Sequence, residues 1–192
     1  MEQEKTSDSP NPVKNEIWEW AKALVIAAVL VLLIRWFIFT PFIVDGPSMQ
    51  PNFHSGERLI VNKILYTFRE PQRGEVIVFH APQGRDYIKR VIALPGETIK
   101  IQDNQVYING EELEEEYIRE AVEAALQNGY SYNSDFAELT VPEGHVFVMG
   151  DNRVNSQDSR EPSVGPVPFD KVVGRADVIF WPLPQISIVK HH

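Results

Sequence analysis

The sequence of 192 residues contains no cysteine. This absence excludes a disulfide-stapled scaffold, a zinc site built from thiolates and a cysteine nucleophile. Basic residues are also scarce, since 18 Lys and Arg stand against 27 Asp and Glu, a net charge of −9. Proteins that bind nucleic acid contact phosphates mainly through clustered Lys and Arg, so no nucleic-acid partner is expected. The hydrophobic share of 43% is typical of a globular protein rather than a disordered one.

Common motifs for phosphate and metal binding are missing as well. The sequence has no G-x-x-x-x-G-K-[ST], no G-x-G-x-x-G and no H-E-x-x-H. Only the last two of its five histidines are adjacent, and we interpret this pair as a tail, so no metal and no cofactor are expected. A Ser-His-Asp triad remains an alternative, because triad members need not be close in sequence. Its candidate histidines, which no neighbouring motif supports, are His54, His80 and His145.

A long apolar run is present near the start of the chain. From Ala23 to Phe39 the only charged residue is Arg35. A helix of this length measures roughly 25 Å, slightly less than a hydrocarbon core of about 30 Å. Tryptophans, which favour membrane interfaces, flank the run at Trp18, Trp20 and Trp36. We therefore predict a single transmembrane anchor at residues 17–40, after a disordered tail at residues 1–16.

The alternatives to an anchor are a buried core helix and a cleaved signal peptide. No small-x-small cleavage site follows the apolar run, which disfavours the signal peptide. Three lysines precede the run, whereas only Arg35 and Arg58 lie near its far end. The anchor predicts a cell-membrane protein in contact with the lipid bilayer. By the positive-inside rule, its N-terminus would be cytoplasmic and the following domain would lie on the outer face.

The remainder of the chain is typical of a β domain. Short β-type runs are separated by Gly, Pro, Asn and Asp, and Asn109-Gly110 is a strong hairpin-turn signal. We predict a mostly β domain of antiparallel sheets at residues 41–185, followed by a tail at residues 186–192. The strand candidates are Arg58–Val61, Glu75–Phe79, Tyr87–Ala93, Thr98–Ile101, Val106–Ile108, His145–Met149 and Val172–Phe180.

One acidic segment, residues 111–138, interrupts the β pattern. Its first part, Glu111 to Leu126, holds seven glutamates. Small apolar residues recur every fourth position there, which predicts one short helix with the acids on its other faces. We expect a solvated helix on a surface excursion, with an acidic partner-binding surface as the alternative. Residues 127–138 are predicted to form a loop.

Three polar motifs stand out in the β region. Ser48 lies between two prolines, on a turn with restricted φ angles. Lys89 and Arg90 are adjacent in a predicted strand, so we expect one side chain to point inward and the other outward. An inward lysine is costly unless it is neutral or paired. The third motif, residues 150–160, is a polar loop suited to rigid support of a site.

Together, and in this order behind an apolar segment, the motifs resemble those of bacterial type I signal peptidases, in the compact form of Gram-positive-type bacteria. The resemblance implies a membrane-anchored serine endopeptidase with a largely antiparallel β fold. Such an enzyme cleaves N-terminal signal peptides from exported preproteins after small residues at −1 and −3, close to the secretion translocon. The matching blocks are Ser48-Met49-x-Pro51, Arg73 to Phe79, Tyr87-Ile88-Lys89-Arg90 and Gly150-Asp151-Asn152-Arg153-x-x-Ser156-x-Asp158-Ser159-Arg160.

The resemblance also implies roles for individual residues, with Ser48 as the nucleophile and Lys89 as the general base. Only a neutral amine can accept the serine proton, and burial can lower a lysine pKa by roughly 3–5 units. Gly46 departs from the family pattern, because some members have at this position a serine that donates a hydrogen bond to the oxyanion. The supporting residues would be Ser156, which orients the Lys89 amine, and Asp151, Arg153 and Asp158, which hold the loop. The candidate groove residues are Val44, Met49, Tyr87 and Ile88.

Two other functions remain as alternatives. A self-cleaving Ser/Lys protease of the repressor type is disfavoured, because the sequence has no DNA-binding module and no Ala-Gly cleavage site. An inactive, membrane-tethered β module that binds preproteins is disfavoured by the presence of both Ser48 and Lys89.

Overall fold

The computed structural model describes residues 12–191, except for the side chains of residues 12–15 and 34–37. The chain divides into two compact units, Met1–Ile38 and Phe39–His192. Most of the tail predicted at residues 1–16 therefore lies outside the described residues.

The first unit is formed by helix α1 (Pro12–Phe37). Large apolar side chains along it are exposed, for example Leu24 at 68% and Leu32 at 66%. Among the residues that the structure describes, no helix combines the length and the apolar character needed to cross a membrane.

The second unit is built from strands β1 to β12 and two short α-helices. The strands are β1 (Phe39–Ile43), β2 (Arg58–Asn62), β3 (Val76–His80), β4 (Asp86–Ala93), β5 (Thr98–Gln102), β6 (Gln105–Ile108), β7 (Glu111–Glu112), β8 (Phe136–Thr140), β9 (His145–Met149), β10 (Val167–Pro168), β11 (Val172–Trp181) and β12 (Ser187–Ile188). The α-helices are α2 (Leu65–Phe68) and α3 (Arg119–Gln127), and single 3₁₀ turns are formed by Glu116–Ile118, Phe169–Lys171 and Leu183–Gln185.

These strands form two antiparallel sheets. The large sheet has the order β1-β2-β11-β3-β4-β9-β10, with β12 paired to β11, and the small sheet has the order β7-β6-β5-β8. The mostly antiparallel β fold expected from the sequence is thus confirmed. All seven predicted strands are present with small shifts at their ends. The sequence did not predict β1, β7, β8, β10 or β12, and β8 corrects the loop predicted at residues 127–138.

The centre of the large sheet is buried on both faces. On β3, Val76 and Val78 belong to one apolar cluster, whereas Ile77 and Phe79 belong to another on the opposite face. A short, continuous apolar run is the sequence pattern that such a strand requires. The neighbouring strand β4 is equally enclosed from Ile88 onward.

This enclosure changes the interpretation of the two basic residues on β4. Lys89 is 3% exposed and Arg90 is 1% exposed. The expectation that one of them points outward is therefore wrong, because both faces of β4 are covered. Each side chain needs polar partners inside the protein.

The acidic segment is also less regular than predicted. Residues Glu111–Glu112 form strand β7, and the helical part is divided between a 3₁₀ turn at Glu116–Ile118 and α3. Ile118, Ala125 and Tyr132 are buried together in a small cluster of their own. The segment is thus packed on the domain rather than formed by one solvated helix.

The C-terminal residues are attached to the large sheet. Strand β12 pairs with β11, and Val189 is buried in the core. The Lys190 carbonyl accepts a hydrogen bond of 3.3 Å from Arg90, and His191 Nδ1 accepts one of 3.3 Å from the Val76 N–H.

We predict that Ile77→Ala lowers the free energy of unfolding by about 2–5 kcal/mol, since it removes a fully buried side chain from β3. Ile188→Ala is the matched control, because Ile188 also lies in a strand but is 80% exposed. Its effect should stay within about 0.5 kcal/mol. Urea unfolding followed by tryptophan fluorescence measures both, and equal effects would contradict this description of the core.

Candidate active site

Ser48 is held on a tight turn between β1 and β2. The Gln50 N–H donates to the Pro47 carbonyl at 3.0 Å, and the Phe53 N–H donates to the Met49 carbonyl at 3.0 Å. Met49 and Phe53 are buried in the core, at 0% and 2% exposure. These apolar side chains fix the turn to the sheet and leave the Ser48 hydroxyl at the protein surface.

The structure brings Ser48 and Lys89 together. The Lys89 Nζ lies 2.8 Å from the Ser48 Oγ and donates a second hydrogen bond of 2.8 Å to the Ile88 carbonyl. The two residues are 41 positions apart in the sequence and meet because β4 runs beneath the turn. A hydroxyl and an amine at this distance can exchange a proton.

Burial lowers the pKa of Lys89 from 10.5 to about 8. Water cannot solvate the ammonium there, so the neutral amine is favoured. The carboxylates of Asp158 and Asp151 act in the opposite direction, whereas the Arg160 guanidinium lowers the pKa further. The Tyr87 ring covers the amine, with its centroid 5.2 Å from Nζ. At pH 7 roughly a tenth of Lys89 is therefore neutral.

The loop of residues 150–160 is folded around Asp158. The Gly150 N–H donates to Asp158 Oδ2 at 2.9 Å, and Arg160 donates to both carboxylate oxygens at 2.8 and 2.9 Å. Burial alone would raise the pKa of Asp158, but the hydrogen bonds from Arg160 and Gly150 more than offset this, and the pKa lies below its ordinary value. The carboxylate thus remains ionised and keeps the loop closed.

This loop contacts the Ser48 turn directly. The Asn152 N–H donates to the Ser48 carbonyl at 3.0 Å, and the Asn152 side chain donates to the Pro47 carbonyl at 3.2 Å. At Gly150 a Cβ would lie 2.4 Å from the Ser48 carbonyl oxygen and 2.2 Å from Ser156 Oγ. Only glycine allows the loop to approach the turn so closely.

A buried ion pair connects the same loop to β4. Arg90 donates to the Asp151 carboxylate through Nε at 2.9 Å and through Nη2 at 2.7 Å. Asn52, from the Ser48 turn, donates to Asp151 Oδ2 at 2.8 Å. Asp151 therefore joins the turn that carries Ser48 to the strand that carries Lys89.

Ser156 forms no hydrogen bond with Lys89. Its Oγ is buried and forms no hydrogen bond of normal geometry within residues 12–191. The Lys89 amine is bonded to Ser48 and Ile88 instead. The Ser156 hydroxyl lies close enough to Asp158 to help lower the pKa of that carboxyl.

An open cleft of about 270 Å³ lies in front of Ser48. Tyr87 and Ile88 line it, as expected for the groove, whereas Val44 and Met49 lie in the core beneath it because their side chains point inward. The Tyr87 hydroxyl donates to Gln157 Oε1 at 2.8 Å. The lining consists of Phe42, Ile43, Asp45, Gly46, Pro47, Ser48, Asp86, Tyr87, Ile88, Lys89, Asn155 and Gln157.

Sequence reasoning missed several members of this site. Asn52 lies only four residues beyond Ser48 in the sequence. This proximity could have identified it as a member of the site. Glu115 pairs with the buried Arg153 at a separation of 38 residues, and nothing in the acidic run distinguishes it from its neighbours. In the part of the chain that the structure describes, no three His, Asp or Glu side chains are grouped as a metal would require.

The sequence is similar to those of known proteins. Residues 17–181 match the family model described as signal peptidase, peptidase S26. Signal peptidase I T of Bacillus subtilis (strain 168) is 40% identical, over 99% of this chain and 100% of that protein. Signal peptidase I S of the same organism is 42% identical, over 90% of this chain and 94% of that protein.

A solved structure is similar as well. The crystal structure of a signal peptidase I from Enterococcus faecalis V583 matches with a TM-score of 0.50 and 40% identity, covering 56% of this chain and 97% of that chain. Because the family model and the relatives extend over nearly the whole sequence, this chain belongs to the type I signal peptidases of peptidase family S26.

Proposed function

We propose that this signal peptidase cleaves preproteins with a catalytic dyad of Ser48 and Lys89. The observation that carries the proposal is the 2.8 Å distance between Lys89 Nζ and Ser48 Oγ, with the lysine 3% exposed. No histidine is needed in this arrangement, because the amine itself has a pKa of about 8. A fraction of the enzyme is then ready to react at neutral pH.

In the first step the neutral Lys89 amine accepts the Ser48 proton while Oγ attacks the scissile carbonyl. The resulting ammonium gives its proton to the leaving amine of the mature protein, and an ester remains on Ser48. Water then loses a proton to Lys89 and attacks this ester, and the ammonium returns the proton to Ser48 Oγ as the acyl group leaves. Lys89 thus acts as base and then as acid in each half of the reaction.

The developing oxyanion needs hydrogen-bond donors. Within the described residues the Ser48 N–H donates no hydrogen bond, and Ser48 lines the cleft. We propose it as one donor of the oxyanion hole. Gly46 supplies no side chain, so the second donor is another backbone N–H or water.

The supporting residues keep these groups in place. Asp158 closes the loop through Gly150 and Arg160, and Asp151 joins the loop to Arg90. Arg153 donates to the Gly150 carbonyl at 2.9 Å. We propose that Ser156 orients the amine in steps in which Lys89 turns away from Ser48, since its buried hydroxyl forms no hydrogen bond of normal geometry among the described residues.

The substrate is proposed to bind as an extended strand. Strand β9 pairs with β4 only from Arg90 onward, so the edge of Asp86–Lys89 that faces away from β3 has no strand partner in the described part of the chain. An extended peptide can pair with such an edge through main-chain hydrogen bonds. Tyr87 and Ile88 then form part of the walls that restrict positions −1 and −3 to small side chains.

We further propose that residues 17–40 anchor residues 41–185, the catalytic domain, to the cell membrane, with a cytoplasmic N-terminus and the active site outside. The exposed apolar side chains of α1 support this proposal. Ser48 lies eight residues beyond Thr40, at most about 28 Å when extended. The cleft would then lie near the membrane surface, where preprotein signal peptides emerge beside the translocon.

Ser48→Ala and Lys89→Ala should each abolish cleavage of a purified preprotein in detergent, because one removes the nucleophile and the other the base. Ser134→Ala and Lys171→Ala are matched controls with exposed side chains and should retain full activity. Turnover by Lys89→Ala would exclude the dyad. Binding of preprotein without cleavage by the unaltered chain would favour the inactive β module.

The pH dependence follows from the lowered pKa of Lys89. Only the neutral amine reacts, so kcat/KM should rise about tenfold per pH unit below pH 8 and level off above it. Initial rates between pH 6 and 10 measure this curve. A midpoint near 6.5 would indicate a histidine base instead, and one near 10.4 a solvated lysine.

Membrane anchoring can be tested by alkaline carbonate extraction. The unaltered chain should stay in the membrane pellet, whereas Val29→Asp combined with Leu32→Asp should release it, because each charge at mid-bilayer costs about 2.5–3.5 kcal/mol. Leu126→Asp, an equally apolar and exposed position in α3, is the control and should not change the distribution. Extraction of the unaltered chain would contradict the proposal.

A further inference from the structure

The acidic segment provides buried partners for the active-site loop. Residues 113–133, here called the strap, contact Arg153, Arg90 and Asp151, which lie on or beside the loop of residues 150–160. The sequence pattern predicted a solvated surface for this part of the chain. Its contacts indicate a second role.

The first set of contacts surrounds Arg153, whose side chain is 0% exposed. Its Nη1 donates to Glu115 at 2.9 Å and to Asn133 at 2.9 Å, and its Nη2 donates to the Tyr117 hydroxyl at 3.1 Å. Its Nε donates in the other direction, to the Gly150 carbonyl at 2.9 Å. Arg153 therefore connects the strap to the residue that packs against Ser48.

The second set of contacts reaches Arg90 and Asp151. The Tyr117 ring lies against the Arg90 guanidinium, with 4.0 Å between Cζ and the ring centroid. The Tyr132 hydroxyl donates to the Asp151 carbonyl at 2.9 Å. Asn52, on the Ser48 turn, donates to the Tyr117 carbonyl at 2.9 Å and to Asp151 at 2.8 Å. The strap thus contacts the Ser48 turn, the loop of residues 150–160 and β4, the strand that carries Lys89.

Electrostatics makes Glu115 the central residue of the strap. Burial lowers the pKa of Arg153, but the Glu115 carboxylate more than offsets this and keeps the guanidinium charged. Without Glu115 a buried cation would lack its closest carboxylate, and the guanidinium would shift to find another partner. Such a shift would move Gly150 and, through it, the Ser48 carbonyl.

We infer that the strap positions the reacting groups, with Glu115 and Tyr117 as positioning residues that act through Arg153 and Arg90. This inference rests on the proposed Ser48–Lys89 dyad. Proton transfer between the two requires the short distance that the loop and the turn maintain together. A displacement of about 1 Å in such an arrangement can reduce the rate by roughly a hundredfold.

The test compares Glu115→Gln with Glu114→Gln, which removes the same charge from an exposed neighbour. Preprotein cleavage is measured in detergent, and kcat is normalised to the folded fraction from near-UV circular dichroism. Glu115→Gln should lower the normalised kcat about tenfold, with KM within about twofold of the unaltered chain. Glu115→Asp, which keeps the charge, should recover part of the loss, and Glu114→Gln should change neither parameter. A purely structural role would lower only the folded fraction.

A second variant covers the case in which Glu115→Gln fails to fold. Tyr132→Phe keeps the ring and removes only the hydroxyl that donates to the Asp151 carbonyl. It should lower the normalised kcat about threefold, with KM unchanged. Normalised kcat values equal to that of the unaltered chain in the folded variants would overturn the inference.

Ser48→Ala in the same assay distinguishes an incorrect dyad from an incorrect role of the strap. Cleavage by Ser48→Ala would mean that the dyad itself is wrong. An inactive Ser48→Ala together with a fully active Glu115→Gln would reject the strap alone.

Discussion

The burial of a lysine amine beside a serine hydroxyl is the constraint on which the rest of this structure depends. Lys89 reaches Ser48 from a strand enclosed on both faces, and this enclosure lowers its pKa to about 8. Each pKa unit corresponds to about 1.4 kcal/mol, so the fold sustains on the order of 3 kcal/mol of unfavourable burial. The apolar strands around β4 supply both the enclosure and the stability that offsets it.

The buried arginines near Lys89 have different partners from the lysine. Arg90 and Arg153 are as deeply buried as Lys89, yet each is paired with a carboxylate, Asp151 and Glu115 respectively. Among the described residues, Lys89 meets only a hydroxyl and a carbonyl oxygen at hydrogen-bond distance, and neither requires its positive charge. The carboxylates of Asp151 and Asp158 act on it from farther away. The two arginines are thus fixed by carboxylates, whereas the cation with the lowered pKa is bonded to neutral oxygens.

The parts of the structure that could be predicted from the sequence are those determined by residues close together in the chain. Apolar runs in β3, β4 and β9 identify strands, because a buried strand needs continuous apolar side chains. Strand β8 was missed, since it lies at the edge of the small sheet and is largely exposed. One of Lys89 and Arg90 was expected to point outward, but Arg90 is buried with Asp151, which meets it from 61 positions away. Glu115 could not be distinguished in a run of glutamates for the same reason.

The resemblance to a known family supplied Ser48, Lys89 and the loop, which composition and periodicity alone would have left as a turn, a strand and a polar segment. It did not describe the interior of the groove. Val44 and Met49 belong to the core rather than to the cleft, because the direction of a side chain on an irregular turn depends on its packing.

The order of strands in the large sheet also constrains when this sheet can be completed. Strand β11 lies between β2 and β3, so the half of the sheet next to Ser48 and the half that carries Lys89 are joined by a strand that comes late in the sequence. A growing chain that already contains both residues still lacks the element that pairs with both halves. The continuous large sheet can therefore form only after β11, which ends at Trp181, has been synthesised.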